Sequence, residues 1–230
     1  MSSTEPSASP GVSKPRKPET YFWPLLTLVI VILPQVLVPS RLRVGPTIAV
    51  PIVEAAAVLI LLGVAAKRGP VPRAARPLIL TLFGILAGAN TAAAIRLVII
   101  VMVGTPKGHP APSATRLLIA TGLLLATNVV TFALLYWQID GGGPDARLGT
   151  PKPYPDFQFP QTGTEGLAPP DWSPRYGDYA YLSCTNIVAF SPTDTLPLTI
   201  RVKGLMALQS FISLAVLVVV LARVINILPS

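Results

Sequence analysis

Long apolar runs broken by short polar stretches dominate the chain. About 20 consecutive apolar residues suffice for one helical crossing of a bilayer. The first run, 22–39, predicts an uncleaved first span: Lys14, Arg16 and Lys17 precede it as in a signal peptide, but no small-residue cleavage site follows. Pro34 predicts a kink in it. The runs 47–66, 77–103 and 115–138 predict three further spans, and a run from about Lys203 to Leu228 predicts the last. Residues 1–20, rich in Ser, Pro and Lys, read as a disordered basic tail. The connections 67–76 and 104–114 are a basic loop and a loop of turn formers.

Two stretches break the pattern. Residues 139–177 are rich in Gly and Pro with few periodic apolar positions, which predicts an extramembrane loop with Phe157, Phe159 and Trp172 tucked against the membrane surface. Tyr136 and Trp137, just before it, suit a membrane–water boundary. Residues 178–188 predict a half-polar helix too short to cross, followed by the polar hinge Ser191-Pro-Thr-Asp-Thr-Leu-Pro197. Non-helical backbone survives at membrane depth only when buried in protein or facing water, so this order predicts a re-entrant loop. The expected fold is all-α and polytopic, with five transmembrane helices and a short re-entrant helix before the last. It divides into the tail 1–20, a three-helix region 21–114 and a C-terminal region 115–230.

Composition agrees with a membrane protein. Of 230 residues 51% are hydrophobic and only 12% charged, with mean hydropathy +0.61, against about 25% charged in soluble domains. The net charge of +8 sits in tails and short loops, which reads as topology signals rather than phosphate contacts, and no nucleic-acid partner is expected. Seven bases (Lys14, Arg16, Lys17, Lys67, Arg68, Arg73, Arg76) flank one side of the predicted bilayer and five (Arg41, Arg43, Lys107, Arg116, Arg223) the other. A break in the third span around Gly88–Asn90 would change this count.

Catalytic chemistry has little to draw on. Cys184 and His109 are each the single residue of their kind, which excludes an intrachain disulfide and a Cys/His zinc site. Gly141–Pro144 lacks the Lys and following helix of a phosphate-cradling loop. Neither an enzyme nor a bound cofactor or metal is expected.

Glu54, Asn90, Arg96, Asn128, Gln209 and Asn226 lie inside apolar runs. Ionisable groups at that depth cost a few kcal/mol or more, roughly, and are usually paired, so Glu54 and Arg96 are expected to meet between the second and third spans. The amides read as interhelical hydrogen-bonding groups. Arg96 alone does not make a voltage sensor, and Arg223 reads as a snorkelling anchor.

The order Tyr179-x-Tyr181, Thr185, Ala189-Phe-Ser-Pro-Thr-Asp194, Pro197-x-Thr199, Lys203 and a last helix resembles the pore loop and inner helix of potassium-channel-type proteins, over roughly residues 115–228. The family's filter glycines are Ser191 and Thr193 here, and Pro192 replaces the tyrosine between them. Proline fixes φ and lacks an N–H, so potassium selectivity does not carry over. The resemblance implies a loop of Thr185, Ala189, Phe190, Ser191, Pro192, Thr193, Asp194 and Thr195 presenting hydroxyls and carboxylates to monovalent cations at the axis of a homo-oligomer, a tetramer by analogy. Tyr136–Pro144 and Phe190–Thr199 are also similar to stretches of an uncharacterised group of bacterial membrane proteins, which implies the bacterial inner membrane. Two readings remain open: a weakly selective cation pathway, and a non-conducting scaffold or partner-binding subunit in which Ser191–Asp194 is an ordinary turn with Asp194 as a helix cap.

Overall fold

The computed structural model describes residues 19–37, 49–66, 75–105, 111–148, 154–164, 166–169, 171–189 and 194–227. Apolar sequence becomes helix: α1 (Phe22–Leu37), α2 (Ala49–Ala66), α3 (Ala75–Val103), α4 (Ala114–Ile139), α5 (Pro144–Leu148), α6 (Pro160–Gly163), α7 (Tyr176–Ala189) and α8 (Ile200–Ile227). Strands β1 (Phe157–Gln158) and β2 (Leu196–Pro197) form a two-residue antiparallel ladder, with Phe157 opposite Pro197 and Gln158 opposite Leu196.

The protein is all-helical, and α3, α4 and α8 are long and apolar enough to cross a membrane. Of the five expected spans, α1 and the stretch Ile52–Gly63 of α2 are shorter apolar helices. Helix α1 continues through Pro34 to Leu37. Helix α3 runs 29 residues without interruption through Gly88–Asn90, so the span count is not changed by a break there. The expected tail yields at Glu19, which is held by the folded chain; residues 1–18 lie outside the described residues.

Helix α4 is the central post. It packs against α1, α3, α7 and α8, and every side chain from Val130 to Gln138 is buried. A helix apolar on all faces needs neighbours on all faces, and this one has them. Ser113 opens it, its Oγ accepting a hydrogen bond from the Arg116 N–H at 3.3 Å.

Several chain segments gather at the C-terminal end of α4. Tyr21 stands edge-on to Trp137 at 5.3 Å, Tyr176 likewise at 5.8 Å, and Arg76 lies beside Gly143. The chain reverses there through Gly141, Gly142 and Gly143, with φ of 58°, 95° and 97°. Left-handed backbone of this kind favours glycine. A short helix, α5, does follow these glycines, contrary to expectation, because the reversal leaves Pro144 at a helical start.

The segment 139–177 also differs from expectation. Phe157 and Phe159 do not lie on a membrane surface; they are buried edge-on and tilted against Tyr136 and Tyr179, with Trp172 on Phe159. Burying rings against the chain's own helix ends removes apolar area from water while the ring edges find complementary faces. The segment is therefore a packed cap.

Gly143→Ala should destabilise the fold by roughly 1–2 kcal/mol, since an L-residue resists positive φ and the added methyl would stand 3.3 Å from the Gln138 carbonyl. Gly122→Ala, in α4 with open space around it, should be neutral or stabilise by about 0.5–1 kcal/mol. Thermal unfolding of the two purified variants in one detergent checks the contrast.

Candidate functional site

Helices α7 and α8 both start at the capped end of α4. Asp140, the residue that closes α4, accepts N–H donations from Asp156 (2.9 Å) and Phe157 (3.2 Å) on Oδ1 and the Tyr179 hydroxyl (2.5 Å) on Oδ2. Asp156 in turn accepts from Thr199 (2.7 Å) and from Arg201 Nε and Nη2 (2.7 and 2.6 Å). This relay ties the end of α4 to the start of α8, and the β1–β2 ladder and Leu198 N–H to Asp156 carbonyl bond (2.8 Å) fix it further. Arg147 donates to the carbonyls of Trp137 and Asp140, both at 2.8 Å, and stands 5.1 Å over the Tyr179 ring. Glu19 accepts from Trp137 Nε1 (2.7 Å) and from the Tyr176 N–H, and pairs with Arg147 at 3.5 Å.

From that end α7 descends between α4 and α8. Ser183 donates to the Val129 carbonyl at 2.8 Å, and Asn186 donates to the Met206 carbonyl at 3.0 Å. Met206 and Gln209 lie six and nine residues into α8, about 9–14 Å below its start at about 1.5 Å per residue. Leu196 and Pro197 pair with β1 at the cap.

Gln209 holds the hairpin together. Its amide NH2 donates to the Ser183 carbonyl (3.1 Å) and Oγ (2.7 Å), and its Oε1 accepts from Tyr136 (2.8 Å) and Asn186 (2.9 Å). Ser210 donates to Asn186 Oδ1 at 3.2 Å, and Asn128 donates to Ser213 Oγ at 3.3 Å. Gln209, Asn186, Ser183 and Ser213 are all buried. Amide and hydroxyl groups thus pair across α4, α7 and α8, though the Asn128 Oδ1 is buried without a partner among the described residues.

The structure distributes the sequence-predicted residues unevenly. Gln209 and Asn128 belong to this network, and Asn90 is buried on α3. Thr185 donates to the Leu182 carbonyl at 3.0 Å within α7, and Ala189 ends α7 in an exposed position. Asp194 is exposed and Thr195 buried, its hydroxyl 3.4 Å from the Asp194 carboxylate. Phe190, Ser191, Pro192 and Thr193 lie outside the described residues. Asn226 and Arg223 are exposed near the end of α8.

The expected Glu54–Arg96 pair is not formed. Arg96 is exposed on α3, whereas Glu54 is buried and takes the side-chain amide of Gln35 at 2.8 and 3.0 Å. A neutral amide meets the carboxylate's need for donors without burying a second charge. Sequence reasoning missed Asp140, Arg147, Asp156, Glu19, Ser183 and Asn186 as partners. The only signal for Asp140 was its place in Tyr136–Pro144, read there as a likeness and not as chemistry.

No family model, curated protein or solved structure matches the chain.

The cap relay has a definite pH dependence. Burial opposes ionisation of Asp156, but hydrogen bonds from Arg201 and Thr199 outweigh it and hold the carboxyl below its ordinary value of 3.8. A carboxyl lowered in the folded state contributes stability above its unfolded value and loses it as pH falls through the folded one. For Glu19 burial dominates and raises the carboxyl above its ordinary 4.5, so its contribution runs the other way. The difference between wild type and Asp156→Asn isolates the first effect: about 1.5–3 kcal/mol in favour of wild type at pH 6, vanishing as pH falls below 3.8. Denaturation midpoints at pH 6, 5, 4 and 3 measure it. Gln209→Leu removes three interhelical partners, Tyr136, Ser183 and Asn186; at about 0.6 kcal/mol for each such bond in a membrane protein, it should cost about 2 kcal/mol.

Proposed function

We propose that the protein is a channel-like integral membrane homo-oligomer, with α7, the residues 190–195 and α8 acting as a re-entrant pore hairpin. The observation that carries this reading is that α7 and α8 begin at one end of α4 while α7 descends beside only the first turns of α8. In this reading α1 and α2 join α3, α4 and α8 as membrane-embedded helices, five in all, and the cap lies outside the cytoplasm. The hairpin is that of a bacterial inner-membrane protein similar in its C-terminal part to potassium-channel-type pores, without their filter.

The space between α4, α7 and α8 is filled by the Gln209 network, so the pathway runs between copies and not through one. Helix α7 leaves Gly177, Tyr181, Cys184 and Val188 exposed along one stripe turned away from α4. Four such stripes around an axis, with Asp194 near the mouth, would favour cations without choosing strongly among them.

One observation favours the alternative, a non-conducting scaffold: hydrogen-bonded side chains tie α4, α7 and α8 together inside the hairpin, as in a structural plug. Recording from the purified protein in planar bilayers separates the two. The channel reading expects cation conductance, reduced cation-over-anion preference in Asp194→Asn, a tetrameric subunit count in native lipid, and Cys184 shielded from maleimide in the oligomer but reactive in monomers. Stable monomers without conductance under any condition overturn it and support the scaffold.

A further inference from the structure

The side-chain nitrogen of Gln35, near the end of α1, is surrounded by four oxygens. They are Glu54 Oε2 (2.8 Å) and Oε1 (3.0 Å), the Val31 carbonyl (3.0 Å) and Thr127 Oγ1 (3.1 Å). A primary amide has two hydrogens, so four acceptors can be served only by shared, three-centre bonds. Three helices, α1, α2 and α4, thus converge their oxygens on one point, and that point holds a neutral group beside a buried carboxylate.

The Gln35 amide supplies donors to Glu54 but no opposite charge. Glu54 is 0% exposed and Thr127 3%, and among the described residues no Lys or Arg pairs with Glu54. Arg96, the basic residue inside α3, is exposed. A buried carboxyl in a protein is ordinarily neutralised by a proton, an opposite charge or a metal ion. One turn further along the same face of α4, Thr131 is buried and its hydroxyl has no hydrogen-bond partner among the described residues.

We propose that Glu54, Thr127 and the Val31 carbonyl form a binding site for a monovalent alkali cation, into which the Gln35 amide swings as a substitute when the cation is absent. The donors are all oxygens, the preference of hard cations, with no thiolate or imidazole for a transition metal. One carboxylate neutralises one charge, so a divalent ion would leave an uncompensated charge among apolar helices. Rotating the Gln35 amide by half a turn presents its Oε1 as a further ligand for a cation. Gln35 is half-buried and two residues from the last residue of α1, which gives the site a short way out along the helix end. The site is separate from residues 189–195 and stands or falls independently of the pore reading.

The test is thermal unfolding of the full-length protein in detergent at fixed pH and ionic strength, with sodium or potassium chloride titrated against choline chloride. The inference expects a saturable rise in melting temperature with at least one alkali cation, as for any ligand that binds only the folded state. Glu54→Gln should abolish the response, Thr127→Val should weaken half-saturation at least tenfold, and Thr127→Ser should keep it. Because Glu54→Gln can alter folding by itself, the Thr127 pair, which leaves the carboxylate in place, provides the second reading. Equal melting in sodium, potassium and choline overturns the proposal, including where melting depends on pH alone. A saturable response unchanged by both Glu54→Gln and Thr127→Val overturns it as well.

Discussion

The double-ended amide of Gln209 is the contact on which the α7–α8 hairpin depends. Polar groups buried between helices have no water to serve them, and each costs several kcal/mol, roughly, unless protein supplies a partner. Gln209 supplies partners on both sides. Its NH2 meets the Ser183 backbone and hydroxyl, and its oxygen meets Tyr136 and Asn186. One side chain therefore fixes the depth of α7 against both α4 and α8. An apolar residue of equal volume would fill the space but would not set the register, because dispersion contacts between smooth aliphatic surfaces tolerate sliding in a way that paired donors and acceptors do not.

The opposite end of the hairpin is set by charge. Asp140 and Asp156 are both buried, yet they do not repel one another into disorder. Each is surrounded by donors: two backbone N–H groups and a phenol for the first, a hydroxyl and a guanidinium fork for the second. Arg147 adds a buried positive group that bridges the α4 terminus and the Glu19 carboxylate. The aromatic rings of Tyr136, Phe157, Phe159 and Tyr179 seal this polar core from the side, which strengthens the hydrogen bonds inside by excluding competing water. Cap and network thus divide the work, one holding the ends of the hairpin and the other its middle.

Much of the scaffold was legible in the chain because length and apolar content decide whether a helix can cross lipid. The runs that became α3, α4 and α8 needed no tertiary information. Helix α7 was legible as a short half-polar helix for the same reason. Pairing was not legible. Glu54 had an obvious opposite charge in Arg96, but which faces of α2 and α3 meet depends on packing around α4, and α4 presented Thr127 while α1 presented Gln35. Neutral donors carry no signature that a charge count detects. The cap was hidden for another reason: its order comes from three positive-φ glycines and from single carboxylates that bond backbone N–H groups, and neither produces periodicity.

Helix α4 carries both polar centres on adjacent residues. Thr127 belongs to the oxygens around Gln35, and Asn128, the next residue, bonds Ser213 beside Gln209. Consecutive positions on a helix point about 100° apart at 3.6 residues per turn, so one face meets α1 and α2 while another meets α8. Interiors packed at crystal-like density move as units and not as independent side chains. Any shift or rotation of α4 that changes the Thr127 distances therefore changes the Asn128 distances in the same step. The chemistry around Glu54 and the seat of the hairpin share one rigid support, and neither can be repacked without the other registering it.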